Sequence, residues 1–158
     1  MKMKVQEMNV DNKRIVLRCD FNVPIKDGVI LDDTKIVASL ETINYLVSKN
    51  CRVIILSHLG KVKSEEDKVK NSLAVVAKRL NELVESNVIF STTTRSPELE
   101  MRVKALQPRE ILVVENTRFE DYPQKLESGN DIQLASYWAS LGDIFVMDAF
   151  GSSHRCHA

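Results

Sequence analysis

Four polar clusters, each closing a hydrophobic run, hold the residue types of this chain that could do chemistry. They are Asp20 and Asn22 in DFNVP, Ser57, His58, Gly60 and Lys61 in SHLGK, Glu115, Asn116 and Arg118 in ENTRF, and Asp148, Ser152, Ser153, His154 and Arg155 in DAFGSSHR. Three of the four contain an arginine or a lysine. A guanidinium fork or an ammonium group matches a phosphate or a carboxylate. Asp20 and Asn22 add the acceptor and the amide that a hydroxylated ligand needs. Brought to one edge, His58, Lys61, Arg118 and Arg155 make a basic patch sized for one small anion, not a polymer. The composite is a site for a small, hydroxylated, phosphorylated anion. Singly, the parts have plainer readings: Arg118 as a surface ion-pair partner, Asp20 as a turn or capping residue. His154, Cys156 and His157 lack a fourth ligand at a recognisable spacing, so no metal site is expected.

The clusters converge only if the elements before them lie side by side. Five nearly continuous apolar runs, 14–19, 52–57, 88–91, 111–115 and 144–148, suit strands buried on both faces. Between them lie stretches of helical period. In 34–49, Ile36, Leu40, Ile43 and Val47 share a face, with Asp32 or Asp33 to cap and Asn50 to stop. In 73–85 the stripe is Leu73, Val76, Leu80 and Leu83, with Ser72 as cap. Residues 96–106 open on Ser96 and Pro97, and residues 131–141 carry Ile132, Ala135, Trp138 and Ala139 between Asn130 and Gly142. The charged run 61–70 reads as an exposed loop leading into a helix. Strands alternating with helices predict an α/β fold, a doubly wound, mostly parallel sheet in a Rossmann-like three-layer α/β/α arrangement, built as one domain over 1–158. Ligands of such sheets bind beyond the carboxyl ends of the strands, where all four clusters fall.

Composition narrows the function. The chain has 158 residues and zero formal net charge, which gives no global attraction to nucleic acid or to a membrane surface. No apolar run is long enough to span a bilayer, and the first ten residues lack the apolar core of a signal peptide. Three widely spaced cysteines point to reduced thiols and a cytoplasmic protein. With only five glycines and neither a G-x-x-x-x-G-K-[ST] nor a G-x-G-x-x-G motif, no nucleotide-phosphate cradle is expected in this chain.

RCDFNVPIKDG, DDTKI, SHLGK, ENTRF, ASLGD and DAFGSSHRCHA, in this order and spacing, resemble the N-terminal domain of phosphoglycerate kinase, from about residue 13 to the end. That family is a two-domain enzyme in which an N-terminal half binds 3-phosphoglycerate and a C-terminal half binds Mg-ATP or Mg-ADP. The resemblance implies reversible phosphoryl transfer between ATP and the substrate carboxylate in glycolysis, with 1,3-bisphosphoglycerate as the phosphorylated partner. It also implies an incomplete N-terminal domain, inactive alone, whose nucleotide site belongs to an absent second domain, and a full-length protein that is monomeric. Carried over by motif, Asp20 and Asn22 contact the glycerate backbone and its hydroxyl, and His58, Arg118 and Arg155 clamp the remote phosphate, with His154 beside them. Phe21, Leu59, Gly60 and Lys61 are implied as further substrate-binding residues. Lys35 stands where the family has an arginine that stabilises the transferring phosphoryl group, so it is both the substrate-binding and the catalytic candidate. Lysine there forfeits the bidentate contact. Lys61, Met147 and Glu41 are milder departures. The alternative is a non-catalytic module that binds a phosphorylated metabolite through the same fold. A flavodoxin-like nucleotide domain would need a glycine-rich first turn, which DFNVP does not supply.

Overall fold

The computed structural model describes residues 9–122, 124–129 and 131–147. Asn130, Asp148, Ser152, Ser153, His154, Arg155, Cys156 and His157, named above, lie outside the described residues. Among the described residues, seven strands and five helices follow in chain order: β1 (Arg14–Arg18), β2 (Ile25–Lys26), β3 (Val29–Ile30), α1 (Thr34–Ser48), β4 (Arg52–Leu56), α2 (Glu65–Lys70), α3 (Ala74–Leu83), β5 (Val88–Ser91), α4 (Pro97–Ala105), β6 (Ile111–Val114), α5 (Ile132–Ala139) and β7 (Ile144–Met147). The five apolar runs form one parallel sheet in the order β5-β6-β4-β1-β7.

Alternating side chains feed two cores. Ile15 and Leu17 of β1, Val53 and Ile55 of β4, and Ile111 and Val113 of β6 pack with Ile36, Ile43 and Leu46 of α1 and Val76 and Leu80 of α3. Val16, Ile54, Leu56, Leu112 and Val114 face the other way, against Leu99 and Val103 of α4 and Leu134 and Trp138 of α5. Burial on both faces is why β1, β4 and β6 read as unbroken apolar runs, whereas the edge strands β5 and β7 are only partly covered and Phe145 of β7 is 39% exposed.

The order of the strands explains which helix lies where. From β1 to β4 to β5 the chain moves across the sheet in one direction, through α1 and α3. From β5 to β6 to β7 it moves back, through α4 and α5. Crossovers of one hand put helices from opposite moves on opposite faces. The neighbours β4 and β6 therefore send their chains to opposite sides, and a crevice opens at their carboxyl ends.

The ends of the elements follow local chemistry in some places and tertiary contacts in others. Ser96 caps α4 by accepting from Leu99 N at 3.0 Å, with Pro97 in the first turn. Asn50 adopts φ +61° after α1, as a left-handed stop does. Asp33 occupies the α1 cap position, yet its carboxylate accepts from Arg79 of α3 at 2.9 Å, while Asp32 takes Thr34 N at 2.8 Å. Ser72 accepts from Ala74 N at 3.2 Å, as a capping serine does, while the backbone cap of α3 falls on Leu73 and the serine hydroxyl donates to Glu115.

Three expectations are corrected. The run 61–70 contains the helix α2, because Ser64 accepts from Asp67 N at 3.3 Å and Asp67 takes Lys63 N at 2.9 Å. That reciprocal pairing is a variant of the capping box, and it outweighs the charge of the segment. In α5 the buried pair is Leu134 and Trp138, whereas Ile132 is 80% exposed and Ala139 is exposed. Ile132 opens the helix, where side chains lean back past its start. The helix is also capped by Asp131 and closed at Ser140, ahead of Gly142. A β-carbon on Gly142 would lie 2.9 Å from the Arg14 carbonyl, so this glycine serves the close approach to β1.

Candidate functional site

The chain leaving β1 is pinned by Phe21, whose ring is buried and whose N–H donates to Ser57 Oγ at 2.9 Å. Asp20 and Asn22 flank that anchor. Asp20 Oδ1 accepts from Asn22 N at 3.1 Å, an Asx turn, and Asn22 Oδ1 accepts from Gly60 N at 2.9 Å. The plain turn role of Asp20 and its place at the site therefore coexist. Lys35, in the first turn of α1, brings Nζ to 3.3 Å from Asp20 Oδ2. With the Lys35 side chain 49% exposed, this pair contributes little to stability, and the ammonium keeps access to solvent.

The loops after β4 and β6 meet at the crevice, and Asn116 joins them. Its side-chain oxygen accepts from Leu59 N and Arg118 N, each at 3.0 Å. Its amide nitrogen donates to Leu59 O at 2.7 Å and Asn71 O at 2.8 Å. Both the N–H and the carbonyl of Leu59 are thus gripped by one side chain. Gly60 follows at φ +60°, and Asn71 Nδ2 donates to Lys61 O at 3.0 Å. A β-carbon on Gly60 would come within 2.9 Å of that Asn71 amide, so the turn requires glycine twice over.

Arg118 lies in a short 3-10 helix, Thr117–Asp121, which Asn116 caps. Its side chain is 17% exposed. Nη1 donates to Gly60 O at 3.4 Å, and Nε lies 3.8 Å from Asp121 Oδ2 and 3.9 Å from Glu127 Oε2. An open cleft of about 580 Å³ is lined here by Lys61, Lys63, Arg118 and Lys125, with Asp121 as its one acid among the described residues. This excess of cations suits an anion.

Two buried carboxylates stand behind the crevice. Glu115 Oε1 accepts from Leu73 N at 2.7 Å and Asn116 N at 2.8 Å, and Oε2 from Ser72 Oγ at 2.7 Å. Burial pushes this carboxyl above its ordinary value, against the pull of those three donors. Glu115 therefore braces the start of α3 against β6. Glu127, 0% exposed, accepts from Thr117 Oγ1 at 2.6 Å and Arg18 Nη2 at 3.2 Å. Burial pushes it up too, but the Arg18 charge, the Thr117 hydroxyl and the Arg118 charge bring it below the ordinary glutamate value.

Of the residues picked from the sequence, Asp20, Phe21, Asn22, Lys35, His58, Leu59, Gly60, Lys61 and Arg118 come to one edge of the sheet, while Arg155 lies outside the described residues. Phe21 and Leu59 are buried and shape the loops; half-buried His58 and exposed Lys61 carry polar groups at the surface. Sequence reasoning does not find Arg18 and Glu127. An arginine closing the buried run RIVLR is a signal that a buried carboxylate awaits it, whereas nothing local marks Glu127 as that partner. Among the described residues no cluster of His, Cys, Asp or Glu is placed to hold a metal ion. The donors at the crevice fit an anion and do not fit Mg²⁺.

A family model described as phosphoglycerate kinase matches residues 5–158. The chain is similar to the phosphoglycerate kinase of Lacticaseibacillus casei, at 54% identity over 157 residues, covering 99% of this chain and 40% of that protein. It is similar to the Listeria innocua phosphoglycerate kinase at 55% identity with the same coverage. Among solved structures, phosphoglycerate kinase from Coxiella burnetii superposes with a TM-score of 0.77 at 37% identity, over 97% of this chain and 36% of that one. The Pyrococcus horikoshii enzyme gives 0.79 at 29% identity, over 99% and 38%. The chain thus spans about 40% of the length of the curated relatives it matches.

Proposed function

This chain belongs to the phosphoglycerate kinase family, and on that premise we propose that it supplies the 3-phosphoglycerate-binding domain of such an enzyme. The observation that carries this reading is the joining of three strand ends at the crevice: Asn22 to Gly60, Gly60 to Arg118, and Asn116 to both loops. That network fixes a hydroxyl-binding pair and a guanidinium on one edge, as a phosphorylated hydroxy acid requires. In this reading His58, Lys61 and Arg118, with Arg155, hold the remote phosphate, Asp20 and Asn22 hold the glycerate, and Lys35 faces the carboxylate.

The reaction moves the γ-phosphoryl group of ATP onto a carboxylate oxygen of 3-phosphoglycerate, giving the acyl phosphate 1,3-bisphosphoglycerate and ADP, and runs in both directions. The Mg-nucleotide supplies the phosphoryl group, and its site is assigned to a domain other than this one. What the residues here do is bind the acceptor, orient its carboxylate and balance its charge. Lys35 neutralises charge without the planar fork that arginine would offer. We place the full-length protein in the cytoplasm, as a monomer. Cys19 and Cys51 are buried, and no helix among the described residues is long and apolar enough to cross a membrane.

Isothermal titration of this chain with 3-phosphoglycerate at low salt tests the reading. Saturable one-to-one binding that weakens at least about tenfold in Arg118→Ala is expected, the scale of one charge-assisted contact. Equal binding by the variant would refute it. ATP-dependent acyl phosphate formation by this chain alone would overturn the assignment of the nucleotide site elsewhere.

A further inference from the structure

Behind the crevice, the Glu127 carboxylate lies where two guanidinium groups and a hydroxyl meet. We infer that Glu127 is a positioning residue, which fixes the guanidinium of Arg118 for the anion through a carboxylate itself held by Arg18 and Thr117. The inference rests on the 3-phosphoglycerate reading only for the identity of the ligand.

The geometry assigns each edge of Arg118 a different task. Its inner edge carries Nε, which is buried and has no hydrogen-bond partner among the described residues. That nitrogen lies 3.9 Å from Glu127 Oε2 and 3.8 Å from Asp121 Oδ2, within ionic reach of both carboxylates. The outer edge carries Nη1, which donates to Gly60 O at 3.4 Å, and the residue lines the basic cleft. The inner edge is thus held by charge alone, and the outer edge reaches the loop that frames the anion site.

Glu127 cannot drift to follow Arg118. Its Oε2 is tied to Thr117 Oγ1 at 2.6 Å and to Arg18 Nη2 at 3.2 Å, and both partners are buried. Thr117 in turn donates its N–H to Ser57 O at 3.0 Å, and its hydroxyl oxygen lies 3.1 Å from the same carbonyl, on the loop of His58. The carboxylate is therefore referenced to β1, to β4 and to the 3-10 helix at once. Without it the Arg118 side chain would have several rotamers to choose from, and an arginine that must be ordered by its ligand binds more weakly.

A merely structural salt bridge and a positioning residue predict opposite signs. Removing a negative charge next to an anion site strengthens binding if only the field matters. Removing the group that orders the arginine weakens it. Glu127→Gln keeps the volume and an acceptor for Thr117 while removing the charge. Glu127→Asp keeps the charge and withdraws it by one methylene.

The test has two readouts on this chain. The first is the affinity for 3-phosphoglycerate below the melting temperature of each variant. Both variants are expected to bind about fivefold to tenfold more weakly, the scale of one displaced hydrogen bond; unchanged or tighter binding by Glu127→Gln overturns the inference. The second is the NMR signal of Arg118 Nε–H, identified by its loss in Arg118→Lys, and it needs no ligand. Slow exchange with water in the wild type and faster exchange in Glu127→Gln are expected, and equal rates overturn the inference. If Glu127→Gln does not fold, Thr117→Val, which keeps every charge, is expected to shift and broaden the same signal, and an unmoved signal is the refuting result. A wild type that fails to bind 3-phosphoglycerate refutes the ligand assignment, and the Nε–H signal still decides the role of Glu127.

Discussion

Asn116→Ala removes the joint between the two loops of the crevice, and its effect follows from the hydrogen bonds around that side chain. Asn116 is fully buried and holds four backbone groups, Leu59 N, Leu59 O, Asn71 O and Arg118 N. Alanine leaves those four groups without their partner. The two groups on Leu59 lie inside the protein, where an unsatisfied donor or acceptor costs about 1–3 kcal/mol each. Asn71 O and Arg118 N are partly reached by water, and their loss costs about 0.5–1.5 kcal/mol each. The sum is about 3–9 kcal/mol, and partial relaxation brings it toward the lower end, still a large share of the ~5–15 kcal/mol that holds a domain together. Urea unfolding at neutral pH, followed by the fluorescence of Trp138, which is buried and the only tryptophan of the chain, measures it. Asn116→Asp makes a second point: it keeps the two acceptor contacts but turns a carboxylate oxygen toward two carbonyls. It is expected to be at least as destabilising at pH 7 and to recover on acidification, when the protonated acid can donate. A loss below about 1 kcal/mol for the alanine variant would show that the loops are held by something other than this amide.

Other perturbations give results of different kinds. Gly60→Ala must place a side chain at φ +60° and against Asn71 Nδ2, so a loss of about 1–2 kcal/mol is expected, with the Lys61 amide signal displaced; stability equal to wild type would contradict the strain. Burial holds the Glu115 carboxyl above its ordinary value, so its contribution is full below about pH 4.3 and is lost as pH rises through the folded value. The stability of the wild type relative to Glu115→Gln should therefore fall as pH rises above that ordinary value; urea midpoints that keep a constant difference would rule it out. Glu127, whose carboxyl is held below its ordinary value, acts with the opposite sign and is common to both proteins in that comparison. Lys35→Arg offers the planar fork that lysine lacks, and calorimetry should show 3-phosphoglycerate binding about threefold or more tighter; weaker binding would mean that the Asp20 pairing fixes lysine as the fitting residue.

Much of the layout is written locally. The strands are legible because a parallel sheet covered on both faces needs apolar side chains at every position. The run from Val53 to Leu56 has no polar interruption, since Val53 and Ile55 face one core and Ile54 and Leu56 the other. Ser96 and Pro97 announce α4 in the same direct way. The polar clusters are legible because the sheet places every strand end on one edge. What the sequence hides has equally physical causes. The Asp27-Gly28 turn, with both residues left-handed at φ +52° and +76°, is the pair a tight hairpin favours, but β2 and β3 are only two residues each and offer no alternating run to mark the strands beside it. In α2 the serine and aspartate of the cap are masked by the charge of their neighbours. Ile132 is misplaced by periodicity because a helix of eight residues offers too few turns to fix the apolar stripe. The Arg18–Glu127 pair joins residues 109 apart in sequence, and no pattern along a single chain couples them.

Titrating the 15N-labelled chain with 3-phosphoglycerate at low salt shows whether the strand ends form one anion site. Saturable shifts confined to the amides of Asp20, Asn22, Leu59, Gly60, Lys61 and Arg118, following a single binding curve, are the expected result. Shifts that titrate separately at β1, β4 and β6, that map to α4 and α5, or that are absent from a well-dispersed spectrum would contradict a single site at the crevice.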